Sequence, residues 1–184
     1  LDGVYVMLKE VIDNAVDEFI MGHGKKVEIA REGDQLTVRD FGRGIPLGKV
    51  VECVSQINTG GKYNDDVFQF SVGLNGVGTK AVNALSAEFE VVSYREGKYR
   101  RATFKQGKLS SDKQGKDAKE PDGTLVRFTP DPAIFKTWAW HEEFIAHRLW
   151  YYAYLNAGLT LDYNGRSFHS KGGLCDLLVK EIGD

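Results

Sequence analysis

Gly73-Leu74-Asn75-Gly76-Val77-Gly78-Thr79-Lys80 is the stretch on which the fold turns. It leads into a segment with helical spacing near Thr79, and exposed amides at a helix N-terminus favour phosphate. Two familiar nucleotide folds can be tested against it. The run nearly spells a Walker A loop, but Thr79 precedes Lys80, which moves the lysine and takes the metal-binding hydroxyl from its place. The preceding Asn64–Val72 does not read as a buried parallel strand. The dinucleotide fingerprint fails too, because Gly73, Gly76 and Gly78 carry its spacing in the opposite sense.

Outward from this stretch, the chain alternates helical and strand periods. Val4, Leu8, Val11, Ile12, Ala15, Val16, Phe19 and Ile20 recur at helical spacing, so residues 3–21 are predicted as a helix stopped by Gly22 and Gly24. Val27–Arg31 and Gln35–Asp40 alternate as strands about the turn Glu32-Gly33-Asp34. Gly48–Ile57 reads as a short helix. Asn58–Gly76 holds seven Gly or Asn positions, too long for an ordinary connection, and reads as a functional lid or a disordered segment. Thr79–Ser86 is predicted helical. Phe89–Arg95, Tyr99–Lys105 and Thr124–Thr129 are predicted strands, with Ser110–Asp122 a polar, lysine-rich, mobile connection. Glu142–Leu155 reads as a helix, and Leu159–Tyr163 with Ser167–His169 as a hairpin around Asn164-Gly165. The fold class is therefore α+β, a two-layer α/β sandwich with one mixed sheet and helices on one face.

Composition bounds the function. With 184 residues and 42% hydrophobic content, the chain can bury a core without staples. A formal charge of −2 gives no field typical of a nucleic-acid binder. Cys53 and Cys175 fit no metal pattern, which suits a reduced, cytoplasmic protein. No apolar run reaches transmembrane length, so no membrane partner is expected. The chain begins at Leu1, almost inside an apolar-periodic segment, and natural sequence is expected beyond both ends.

Two constellations carry chemistry besides the opening loop. Glu10, Asn14, Asp17, Glu18 and Met21 share one face of the first predicted helix, opposite Leu8, Val11, Ala15 and Phe19. A solvated face is the bland reading, yet Asn14 is a weak helix former placed among acids. Its amide oxygen suits Mg²⁺, a hard cation that wants oxygen ligands, and a carboxylate one turn away could polarise a water. Asp40-Phe41-Gly42-Arg43-Gly44 follows a strand; its glycines allow close backbone approach, and Asp40 could accept a hydrogen bond from an exocyclic amine such as that of adenine. By contrast, His141 and His147 are six apart and do not share a helix face, so no zinc-protease helix is expected. Trp150, Tyr151, Tyr152 and Tyr154 read as core or interface packing.

In order and spacing, these motifs carry more weight than singly. Glu10-Val11-Ile12-Asp13-Asn14-Ala15-Val16-Asp17-Glu18, Asp40-Phe41-Gly42-Arg43-Gly44-Ile45-Pro46, Thr59-Gly60-Gly61-Lys62-Tyr63, Gly73–Gly78 and Gly123-Thr124 closely resemble the ATPase domain of type IIA topoisomerase B subunits, the gyrase B and topoisomerase IV B group of the GHKL superfamily. The resemblance spans nearly the whole chain. Phe68-Gln69-Phe70-Ser71 looks more like topoisomerase IV, whereas Ile45 is closer to gyrase. The segment after Pro46 is shorter than usual, Val72 replaces a usual Gly and Asn75 a usual His.

This resemblance implies a Bergerat-type fold over residues 1–184, an ATP cofactor with Mg²⁺, and an assignment for each motif. Glu10 would be the general base. Asn14 would bind Mg²⁺. Asp40 would accept from the adenine amine, with Gly44 and Thr124 holding a nearby ordered water. Glu18 and Arg43 would pair beside the adenine, with Asp17 also at the nucleotide. Ile45, Pro46 and Ile57 would form apolar walls. Lys62 and the backbone of Leu74, Asn75, Gly76, Val77 and Gly78 would cradle the phosphates. Arg95 would stand where aminocoumarin-type inhibitors bind. The implied setting is a homodimer of B subunits closed by ATP, with an A subunit and DNA as partners of the full-length protein. Neither the N-terminal arm nor the C-terminal transducer domain of such subunits is in the sequence, so the fragment is expected to be a monomer with feeble hydrolysis. A non-hydrolytic chaperone-like module and a histidine-kinase catalytic domain remain the alternatives.

Overall fold

The computed structural model describes residues 3–55 and 76–183. Helix α1 (Gly3–Ile20) buries Val4, Tyr5, Met7, Leu8, Val11, Ile12, Ala15 and Val16, the 3.6-residue stripe of the sequence. Ile20, assigned to that stripe from its spacing, is exposed, because the helix ends there and Gly22 and Gly24 turn the chain away at positive φ. Next come β1 (Lys26–Glu32) and β2 (Gln35–Asp40), a 3-10 turn (Leu47–Lys49) and α2 (Val50–Ser55). Further on lie α3 (Gly76–Ala84), β3 (Ser86–Arg95), β4 (Lys98–Lys105), β5 (Lys108–Lys116) and β6 (Gly123–Pro130). The chain closes with α4 (Glu142–Leu155), β7 (Thr160–Tyr163), β8 (Arg166–His169) and α5 (Leu174–Ile182).

Among the described residues, eight strands form one sheet in the order β5-β4-β3-β6-β2-β1-β7-β8. Every pairing is antiparallel except β1 with β7, which is parallel and is reached through α4. The sheet is thus mixed, as expected. Val27, Ile29, Leu36, Val38, Phe89, Val91 and Phe104 form a single core with the buried faces of α1 and α4 and with Val50, Val54 and Val82. Helices cover this face, and the other carries polar side chains such as Glu28, Thr37 and Arg39.

Three sequence expectations need correction. Ser110–Asp122 is not simply a mobile connection: Lys108–Lys116 is edge strand β5, paired with β4 from Lys105↔Lys108 to Lys98↔Lys116 with one register shift between Thr103 and Phe104. Its side chains are almost all exposed, so no alternation of apolar residues could reveal it; the left-handed Gln106-Gly107 pair is the one local signal of the turn before it. The helix expected over Thr79–Ser86 runs from Gly76 to Ala84, and β3 begins at Ser86, before the predicted Phe89. Helix α5 has no counterpart among the predicted elements; Leu174, Leu178, Val179 and Ile182 on it are exposed.

Candidate functional site: a cleft between the first helix and the sheet

The α1 stripe faces the chain as it leaves β2. Between them lies a cleft with about 70 Å³ of enclosed free space, open to solvent on one side. Its walls are apolar: Val11 and Ala15 from α1, Val38, Val91 and Val126 from the sheet, and Ile45, Cys53 and Val54 beyond β2. A few polar groups converge in it, namely Asn14, Glu18, Asp40, Thr79 and Thr124. Residues 14 and 40, distant in sequence and on different elements, therefore share one cavity.

Asp40 ends β2 and is buried. Its Oδ1 accepts the Gly42 N–H at 3.0 Å and the Thr124 N–H at 3.2 Å. Oδ2 takes no hydrogen bond among the described residues, so the carboxylate keeps one acceptor for a ligand. Burial pushes its pKa up to about 6; the Gly42 N–H opposes this, Glu18 adds to it, and the Thr124 N–H and Arg39 oppose it more weakly. At neutral pH it is mostly ionised and poorly solvated, a state that an incoming N–H donor relieves.

Glu18 is buried one helical turn from Asn14 and is held by Arg43 in a fork: Nη2 to Oε1 at 3.0 Å and Nε to Oε2 at 3.1 Å, with the Arg43 N–H also donating to Oε2 at 3.1 Å. Gly42 is required there, since a Cβ would come within 2.7 Å of the Glu18 stem. Gly44 has φ +75° and sits under the Tyr94 carbonyl and the Arg95 side chain. The Ser93 hydroxyl donates to the Ile45 carbonyl at 2.6 Å and ties this loop to β3.

Asn14 donates through Nδ2 to the Thr79 hydroxyl, while its Oδ1 is buried with no hydrogen-bond partner among the described residues. A buried amide oxygen left unpaired is costly, and it is oriented for a donor or a cation. Glu10, one turn earlier, lies against the first turn of α3: a Cβ on Gly78 would collide with its carboxylate. Asp17 is half-buried and its pKa is raised to about 6, by burial first and then by Asp13 and Glu18. Burial also raises the Cys53 thiol to about 11, so it stays protonated and serves as an apolar wall.

Of the residues chosen from sequence, Asn14, Glu18, Asp40, Ile45 and Thr124 line the cleft. Arg43 reaches it through Glu18, and Glu10 lies against Gly78. Asp17, Gly44, Pro46 and Arg95 do not line it. Ile57, Lys62, Leu74 and Asn75 lie outside the described residues, and of Gly76 and Val77 only the helical backbone is described. Sequence reasoning misses Thr79 as the partner of Asn14; its place directly after Gly78 is legible there only as a failed Walker A position. It also misses the valines of β2, β3 and β6, whose strand alternation marks them as core without showing which side of the core opens.

Comparison with known proteins bears on this geometry. Residues 1–134 match the family described as histidine kinase-, DNA gyrase B- and HSP90-like ATPases. The chain belongs to that ATPase family. Among its relatives, the B subunit of DNA topoisomerase 4 from Borreliella burgdorferi is 56% identical over 98% of this chain and 30% of its own length. The B subunit of DNA gyrase from Thermus thermophilus is 37% identical over 95% of this chain and 30% of its own. The chain thus spans under a third of these relatives. A solved structure, the 43K ATPase domain of Thermus thermophilus gyrase B in complex with an aminocoumarin, superposes with a TM-score of 0.77 at 33% identity. The match covers 99% of this chain and 50% of that one.

Proposed function

We propose that this chain, residues 1–184, is the ATP-binding domain of a type II DNA topoisomerase B subunit, nearer to topoisomerase IV than to gyrase. The observation that carries the proposal is the pairing, in one apolar cleft, of a buried Asp40 with one uncommitted oxygen and a half-buried Asn14 whose buried amide oxygen has no partner among the described residues. The first suits a purine amine and the second a hydrated cation on the phosphates. The 56% identity to the B subunit of a topoisomerase 4 supports the choice within the pair.

In this reading the adenine lies between Val38, Ile45, Val91 and Val126 and donates its amine to Asp40, with Thr124 and Gly44 at a bridging water. The donor set fits Mg²⁺: Asn14 offers an amide oxygen, and oxygen is the ligand that cation prefers. When bound, the ion would neutralise phosphate charge. Glu10 takes the proton from the attacking water, and its contact with Gly78 fixes the carboxylate beside the start of α3, where the phosphates would end. Lys62 and the backbone of 74–78 complete the phosphate cradle, and Ile57 the apolar wall. Arg95, lying over Gly44, stands where an ATP-competitive inhibitor would leave the cleft.

As part of a full-length subunit, the domain would dimerise on ATP and act with an A subunit and DNA in the cytoplasm. Alone, it would be a monomer with slow turnover. The test is direct. Asp40→Asn should weaken ATP binding by about 100-fold or more, since a donor then faces the adenine amine. Glu10→Gln in the full-length subunit should keep ATP affinity and lower kcat by about 10²–10⁴-fold. Unchanged binding in the first, or surviving turnover in the second, would remove the corresponding assignment.

A further inference from the structure

Strand alternation sends Val38 and Asp40 to the helix-covered face and Arg39 to the open one. Yet Arg39 is only 6% exposed, unusual for an arginine on the uncovered side of a sheet. Its guanidinium lies 4.4 Å from the centroid of the Phe41 ring and 4.7 Å from that of Tyr94. One arm, Nη1, donates to the Asp40 carbonyl; the other, Nη2, donates to the Pro121 carbonyl at 2.6 Å and to Glu120 Oε2 at 3.3 Å.

These contacts join two pieces of chain that have to meet closely. Gly123 lies between them with φ +143°, and a Cβ there would strike both the Asp40 carbonyl and Arg39 Nη1. The next residue, Thr124, donates its N–H to Asp40 Oδ1. A planar fork packed against two rings thus draws the Asp40 backbone against the segment that delivers the Thr124 amide. We propose that Arg39 is a positioning residue for nucleobase recognition: from behind the sheet it sets the direction in which Asp40 presents its uncommitted oxygen to the base. The inference rests on Asp40 reading the purine amine, and it assigns the selectivity of that contact partly to a residue outside the cleft. Lysine cannot replace the fork, because a single ammonium does not bridge two carbonyls in the plane of a guanidinium.

The test uses the 184-residue chain and equilibrium binding of ATP and GTP. Arg39→Lys keeps the charge, and should weaken ATP by about tenfold, the equivalent of one charge-assisted hydrogen bond, and shrink the ATP-to-GTP preference in proportion. Amide exchange at Thr124, followed by NMR, should accelerate in the same variant. Glu120→Gln, which removes the charge from only the longest contact, should leave both affinities within about twofold. Phe41→Leu removes one ring but no hydrogen bond, and should reduce the ATP preference by about threefold; it decides the matter if Arg39→Lys does not fold. An unchanged ATP-to-GTP ratio in either folded variant overturns the positioning role, provided Asp40→Asn weakens ATP binding by about 100-fold or more. If Asp40→Asn binds ATP normally, the reading of the cleft itself has failed.

Discussion

Asp40→Asn should stabilise the empty domain at high pH while it weakens ATP binding by about 100-fold or more. The carboxyl titrates at about 6 instead of its ordinary 3.8, with burial as the largest cause. A raised carboxyl pKa means that the folded state holds its proton more tightly than the unfolded chain does. The stabilising contribution of that proton is complete below about pH 3.8 and is lost as pH rises through about 6. At pH 8 the ionised, buried group therefore costs about 3 kcal/mol relative to the unfolded state, and at pH 4.5 only about 1. Asparagine carries no such penalty, and its oxygen can still accept the Gly42 and Thr124 amides. The stability difference between variant and wild type should then shift by about 2 kcal/mol in favour of the variant between pH 4.5 and pH 8. Asp17 also titrates near 6, but it is present in both proteins and cancels. Urea unfolding of both at the two pH values measures the shift directly, because any pH-independent effect of the substitution drops out. A difference that stays constant with pH would show that Asp40 is not desolvated, and the account of a poorly solvated acid awaiting a donor would be wrong.

Other expectations come from the same geometry. Gly123→Ala places a methyl against the Asp40 carbonyl at φ +143° and should cost at least about 2 kcal/mol in denaturant unfolding; a neutral outcome would contradict the close approach. Arg43→Ala removes the guanidinium fork from the buried Glu18 carboxylate and should lower stability by about 2–3 kcal/mol in denaturant unfolding at neutral pH. Asn14→Ala should leave ATP affinity without Mg²⁺ almost unchanged but remove the tightening that Mg²⁺ produces, measurable by calorimetry with and without the ion. Gly78→Ala forces the Glu10 carboxylate aside and should reduce kcat of the full-length protein by about tenfold or more with a smaller change in ATP affinity; equal losses in both would point to a general distortion instead.

The sequence by itself determined the amphipathic α1 with Glu10, Asn14 and Glu18 on one stripe, the exclusion of P-loop and Rossmann architectures at Gly73–Lys80, and the hairpins with glycine at left-handed positions. These features are local, set by a period of 3.6 or 2 residues or by the steric freedom of glycine, and so are written in neighbouring residues. Edge strand β5 escaped because an exposed strand has no apolar alternation to show. Only the tertiary structure decided that Thr79 meets Asn14, that the Thr124 N–H donates directly to Asp40 across 84 positions, and that Arg39 bridges Asp40 to Pro121 from behind the sheet. Which strands become neighbours depends on the order β3-β6-β2, a global packing outcome. Burial, which raises the Asp40 pKa, belongs to the whole core and to no single segment.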